Sequence, residues 1–383
     1  MAITTHIFRI LVGVLFILSG LVKANDPLGL SYKMQEFFEV WSADLTASGF
    51  FAKAPLIALF QWLHEYTLPL SIVMITLEIG AGVALLVGWR PKAVLRLLLV
   101  LIVFFTFLTA YAYGSGKFKN CGCFGDCLPI SPLASLLKDI ALLVMILVLW
   151  WGRRYIQPWV RPARAGALVV VAIAATLAVQ WYVLQYLPFA DCLPFKRGAN
   201  ISQQMKIPAG ARPDSFVIQF VYEKGGKQHA FDASNLPADL GTYKYVSRVD
   251  KLVRKGNAEP PIKGFALTGL SGADSTDAVL ALPEAYLLIA EELDNTGSDW
   301  VDDFARLAQA ASSKSIPVLV ATSAPLQRQA QLLAEKGISN VSVFSLDFTA
   351  VRTAARTNPT MYHLKKGTIQ QKYSKRQIDE AFK

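Results

Sequence analysis

Four cysteines, Cys121, Cys123, Cys127 and Cys192, are the residues of this 383-residue chain best suited to chemistry, and they are clustered. Three fall in Asn120-Cys121-Gly122-Cys123-Phe124-Gly125-Asp126-Cys127-Leu128-Pro129 and the fourth in Asp191-Cys192-Leu193-Pro194; none lies beyond Lys196. Asp-Cys-Leu-Pro thus occurs twice, so Cys127 and Cys192 can meet at equivalent helix-end positions. A Cys121–Cys123 disulfide would close a small, strained ring, and strain makes a disulfide easier to reduce. Gly122 and Gly125 leave the loop free to rearrange during exchange. Three chemistries fit: a structural disulfide pinning the loop, redox exchange, or a soft-metal thiolate site for zinc or Cu(I). Clustered thiols outside the cytoplasm favour disulfide chemistry, and no metal site is assigned.

Glu78, in Ile75-Thr76-Leu77-Glu78-Ile79-Gly80, is the second candidate. A carboxylate inside an apolar span costs a few kcal/mol unless it is protonated or paired. It reads either as a neutral acid hydrogen-bonded to another helix or as a proton carrier near a quinone. His229 and His363 show no evident partners and read as structural.

These residues sit on or between long apolar runs. Five stretches reach the roughly 20 residues a membrane helix needs: Ile7–Val22, Tyr66–Gly88, Ala93–Tyr113, Ala134–Trp151 and Ala165–Leu187. Residues 53–65 read as an amphipathic or re-entrant helix. A cleaved signal peptide is the alternative for the first run, and Lys23 is an unusual residue beside such a cleavage site. Two connections, Trp89-Arg90-Pro91-Lys92 and the one holding Arg153, Arg154, Arg161 and Arg164, are cationic and free of carboxylates, which marks them as cytoplasmic. Arg9 puts the N-terminus on the same side. Alternation then carries all four cysteines and everything after Pro188 outside.

Charge also excludes a function class. Residues 1–190 hold fourteen Lys/Arg against eight Asp/Glu, and residues 191–383 hold 24 against 20. The soluble half is mildly basic with no cationic run, which argues against nucleic-acid binding.

Ser19-Gly20-Leu21-Val22-Lys23, Asp26-Pro27 and Tyr32-Lys33-Met34 resemble the first-helix signature of DoxX-like membrane proteins. Leu77-Glu78-Ile79-Gly80 with Leu85-Leu86-Val87-Gly88 is similar to their second helix, and Cys121-Gly122-Cys123-Phe124-Gly125 resembles the third-loop motif of the MauE/DoxX redox-associated group. The resemblance covers roughly residues 5–200, and the whole looks like a DoxX form common in Bacteroidota. It implies a membrane-bound thiol or quinone redox role, since relatives are linked to thiosulfate:quinone oxidoreduction and to disulfide maturation of periplasmic proteins. Fold alone does not fix activity.

Beyond Pro283 a βαβα pattern is legible: strands at Ala285–Ala290, Ile316–Ala321 and Val341–Leu346, with helices at Trp300–Ala311 and Leu326–Lys336. Asn358-Pro359-Thr360 before an apolar strand, then Lys366-Gly367, resembles the cis-proline hairpin of thioredoxin-like proteins. Phe265–Gly272 is similar to their lead-in hairpin. Where such proteins carry Cys-x-x-Cys, this chain has Leu293–Trp300 without a thiol, so the domain cannot itself shuttle a disulfide. Asp294, Asn295, Asp299, Asp302 and Asp303 there read as helix-capping acids rather than calcium ligands. Phe216–Val221 reads as a strand followed by a hairpin turn at Glu223–Lys227.

The expected architecture is a membrane all-α helical bundle of about five transmembrane helices (1–190), a linker with a small extracytoplasmic element (191–261), and a soluble α/β thioredoxin-like domain lacking Cys-x-x-Cys (262–383). The expected function is a thiol/disulfide or quinone-linked relay at the periplasmic face of a bacterial inner membrane, that is, a membrane oxidoreductase. Its site residues are Cys121, Cys123, Cys127 and Cys192, with Glu78 for coupled proton transfer and a membrane quinone as the cofactor that fits. Asn358, Pro359 and Thr360 would bind another periplasmic or membrane protein. The alternative is a non-catalytic scaffold or assembly subunit with structural disulfides.

Overall fold

The structure is a computed structural model that describes residues 1–118, 125, 127–128, 130–213, 215–254 and 256–382. Seven helices come first: α1 (Ala2–Ala24), α2 (Pro27–Ala47), α3 (Lys53–Glu65), α4 (Thr67–Val87), α5 (Pro91–Ser115), α6 (Pro132–Trp151) and α7 (Pro162–Tyr186). Of these, α1, α4, α5, α6 and α7 are long and apolar enough to cross a membrane, at 20–25 residues each. They extend the five predicted spans by a few residues at most ends.

Sequence reasoning did not predict α2. Asp26 caps it, accepting from the Gly29 amide at 3.0 Å, and Pro27 occupies the first turn, where a missing N–H costs nothing. Its polar residues hide it from an apolar-run search.

Close approach of α1 and α4 depends on small residues. A Cβ on Gly82 would stand 2.8 Å from the Gly13 carbonyl, and one on Gly20 would stand 2.5 Å from Ile79 Cγ1. Membrane helices that cannot gain from burying apolar surface against lipid pack through such contacts. Val12, Phe16, Leu85, Leu98 and Ile146 fill the bundle core. At one end Arg9, fully buried, donates to the Leu85, Leu86 and Gln157 carbonyls and so caps α4. Cationic side chains suit the carbonyls at a helix C-terminus.

The second half holds α8 (Ile201–Gln204), β1 (Ser215–Lys224), β2 (Lys227–Asp232), β3 (Lys244–Arg254), α9 (Thr276–Leu280), β4 (Ala285–Ala290), α10 (Val301–Ser313), β5 (Val318–Thr322), α11 (Leu326–Glu335), β6 (Ser342–Ser345), α12 (Phe348–Ala354), β7 (Thr360–Lys365) and β8 (Thr368–Ser374). A five-stranded sheet runs β6-β5-β4-β7-β8, with β4, β5 and β6 parallel and β7 and β8 antiparallel. All six residues of β4 are buried, because both faces are covered. Leu287 and Ile289 pack with α12, Phe195 and Phe265; Tyr286 and Leu288 pack with Trp300 and Phe304. The chain is therefore a membrane helical bundle followed by an α/β domain.

Phe195 and Ile201, in the segment expected to be linker, belong to that α/β core. Gly198 and Ile201 donate to the Ile369 and Gly367 carbonyls. The hairpin turn forms where expected, through Gly225 and Gly226 at φ 60° and 76°, the left-handed pair a two-residue hairpin favours. With β3, unpredicted, it makes a separate sheet ordered β2-β1-β3. His363, expected to lack a partner, hydrogen-bonds Glu284 at 2.6 Å.

Candidate functional site: a disulfide at the junction of bundle and domain

Cys127 and Cys192 are joined by a disulfide, with Cα atoms 4.8 Å apart across 65 residues of sequence. These are the two positions that the repeated Asp-Cys-Leu-Pro allows to meet. Cys121 and Cys123 lie outside the described residues. Cys192 is exposed and Cys127 half-buried.

The last turn of α1 supports this disulfide. Asn25 Nδ2 donates to the Ala190 carbonyl at 2.8 Å, and the Ala190 amide returns a bond to Asn25 Oδ1 at 3.0 Å. The position of a Cβ on Gly125 is 3.6 Å from Val22 Cγ1. Both cysteine-bearing segments thus rest on residues 22–25.

In that same turn the helix sends a charge inward. Lys23 Nζ lies 2.5 Å from Glu78 Oε1, and the two side chains are 3% and 1% exposed. Ser19 Oγ lies 3.3 Å from Glu78 Oε2. On α6, Asp139 accepts from Thr109 at 3.1 Å and from Lys138 at 2.5 Å. Ser19, Lys23, Glu78, Lys138 and Asp139 line one small cavity of about 20 Å³, with room for a single water. Two lysines and two acids balance in charge there, as buried ions must. Glu78 was singled out in the sequence; Lys23 and Asp139 were missed as members, although both are charges within or beside apolar runs.

The α/β domain meets the bundle at this end. Asp26, while capping α2, accepts from Arg356 Nε at 2.8 Å. Arg352 donates to Glu291 at 3.0 Å and to Gln35 at 2.6 Å, and Tyr32 donates to Glu291 at 3.3 Å. Burial, with the Glu291 carboxylate adding to it, pushes the Tyr32 hydroxyl far above its ordinary range. Lys372 pairs with Asp191 at 2.6 Å, beside Cys192 in sequence. Burial lowers the Lys372 ammonium and Asp191 opposes that shift.

The Asn358–Pro359 bond is cis. Pro359 and Thr360 are buried and Asn358 is half-buried, its Oδ1 accepting from the Glu291 amide at 3.1 Å. This segment therefore faces the same Glu291 that α2 contacts through Tyr32.

An apolar groove of about 830 Å³ opens between α2, α3, α4 and α5, walled by Phe38, Trp41, Phe60, Phe107 and Tyr111. Its polar rim is Asp44, which accepts from Tyr111 and Lys117. Glu78 is not among its lining residues.

Residues 1–152 match the family model of the methylamine utilisation protein MauE. That span covers α1 through α6 and the three-cysteine loop, so the bundle is similar to that family. Residues 216–255, holding the small sheet, match a domain of unknown function (DUF8463). Comparisons with curated proteins and with solved structures gave no match.

Proposed function

We propose that the chain is a membrane thiol–disulfide relay whose working pair is Cys127–Cys192, with Cys121 and Cys123 as the neighbouring dithiol. The observation that carries this reading is the exposure of Cys192 at the junction of bundle and domain, bonded to the half-buried Cys127. An attacking thiolate can reach one sulfur, and the other can leave. The similarity of residues 1–152 to MauE supports a redox or assembly role, as does the DoxX-like pattern of the first two spans.

The α/β domain is read as thioredoxin-like, on its mixed sheet and its cis-proline before β7. Its Leu293–Trp300 segment carries no thiol, so its part is recognition rather than exchange. The proposed division is 1–190, 191–261 and 262–383, with residues 193–205 packing into the third unit.

Placement in a bacterial inner membrane, with the N-terminus cytoplasmic and the α/β domain periplasmic, is supported by charge. Arg90, Lys92, Arg153, Arg154, Arg161 and Arg164 are exposed at the end of the bundle opposite the cysteines.

A membrane quinone fits the aromatic groove beside Tyr111 and Asp44, and when bound it supplies a two-electron acceptor. Glu78, paired with Lys23, is the residue this reading assigns to coupled proton transfer. The second reading is a scaffold with a permanent disulfide. It is favoured by the way Cys127–Cys192 staples the loop after α5 to the segment after α7.

Trapping separates the two. In a relay, Cys127→Ser leaves Cys192 without its resolving partner and accumulates mixed disulfides under oxidising conditions. A monomeric, adduct-free Cys127→Ser chain with normal folding would point to the scaffold.

A further inference from the structure

Cys192 faces a groove of about 580 Å³ between the two halves of the molecule. One wall is α2 from Gly29 through Tyr32 to Glu39; the other is α12 and the turn after it, with Phe348, Arg352 and Thr353. Gly29 to Glu39 spans about 15 Å at the helical rise of ~1.5 Å per residue. Four or five extended residues, at ~3.3 Å each, have that length. The volume lies within the roughly 300–1,000 Å³ of binding clefts. Aromatic rings at Tyr32 and Phe348 offer apolar contact, while Glu36 and Thr349 offer acceptors and donors for a main chain. Of the two disulfide-bonded cysteines, Cys192 lines it and Cys127 does not.

We propose that this groove seats an extended segment of another polypeptide carrying a cysteine, whose thiolate attacks Sγ of Cys192. The proposal rests on the exchange reading above and adds the occupant and the sulfur attacked. A bond forms between the incoming sulfur and Cys192 as the Cys127–Cys192 bond breaks. Its electron pair leaves on Cys127, which takes up a proton. A second thiol of the incoming polypeptide then attacks its own mixed-disulfide sulfur and expels Cys192 as a thiolate, which is protonated in turn. The incoming polypeptide is oxidised from two thiols to a disulfide, the Cys127–Cys192 pair is reduced to two thiols, and two protons pass from the former to the latter.

The test uses the full-length protein in detergent with a capped pentapeptide carrying one central cysteine, and free cysteine in parallel. After brief reaction and alkylation, mass spectrometry maps the adducts. The peptide is expected on Cys192, with Cys127 alkylated. Thr353→Trp, which fills the groove from α12, should slow the peptide at least about tenfold and free cysteine less than about twofold. Thr349→Trp is a second blocking variant with the same expectation. Peptide found on Cys127, equal slowing of both thiols, or no slowing by either variant overturns the groove assignment and leaves exchange standing. Failure of both thiols to open the disulfide overturns the groove and the relay together.

Discussion

Lys23 and Glu78 meet at 2.5 Å inside the bundle although 55 residues separate them. Gly20, one turn before Lys23, lacks the side chain that would hold α1 away from Ile79, the residue after Glu78. The ion pair and the close helix contact are therefore one feature. Removing either partner leaves an unpaired buried charge, at a cost of about 3–5 kcal/mol. Lys23→Met and Glu78→Met should each lower the unfolding temperature in detergent, and the double variant should recover most of the loss. A double variant as unstable as the sum of the two would contradict the pairing.

Gly82→Leu should also damage the bundle, by overpacking rather than by charge. Its Cβ alone would press on the Gly13 carbonyl. Such overpacking typically costs about 1–3 kcal/mol, readable as a lower melting temperature with the Cys127–Cys192 bond still formed. Unchanged stability would mean that α1 and α4 do not approach this closely.

Arg356 holds the α/β domain to the bundle through Asp26, and its side chain is only 5% exposed. Arg356→Met keeps much of the side chain's length but removes the donor to Asp26 Oδ2, while Oδ1 keeps the Gly29 amide. Protease cleavage between residues 191 and 261, and hydrogen exchange in α2, should both accelerate. Unaltered exchange in α2 would show that the contact does not hold the two parts together.

Acid should loosen the α/β domain. The hydrogen bond from His363, then the nearby Lys365 charge, holds the Glu284 carboxyl below its ordinary value. The unfolded chain therefore takes up that proton at higher pH than the folded one. The contribution is complete above the ordinary carboxylate range and fades as pH falls through the lowered value. Glu284→Gln should flatten the acid limb of domain unfolding below the ordinary carboxylate range. An identical acid limb in the variant would assign that loss to other groups.

Much of this arrangement was legible in the sequence. Five apolar runs gave the spans because hydrocarbon thickness dictates their length, and turn-bounded apolar runs gave β4 and β5. The repeated Asp-Cys-Leu-Pro marked Cys127 and Cys192 as equivalent. What stayed hidden depends on distant contacts. Nothing near Lys23 announces Glu78, and Asp139 reads as a stray acid until Thr109 is placed beside it. Residues Lys33, Gln35 and Glu36 break the apolar pattern of α2 and meet the α/β domain or line the groove. The groove itself has no sequence signal, since its walls lie about 310 residues apart.

The most direct test of the relay is the state of Cys127 and Cys192 in native membranes. Differential alkylation with mass spectrometry would compare membranes treated with a dithiol, then with an added quinone. The relay predicts that the pair opens with the dithiol and closes again with the quinone, in step with the partner's own thiols. A pair that stays fully bonded throughout, in a folded protein, would contradict it and leave the disulfide as a staple.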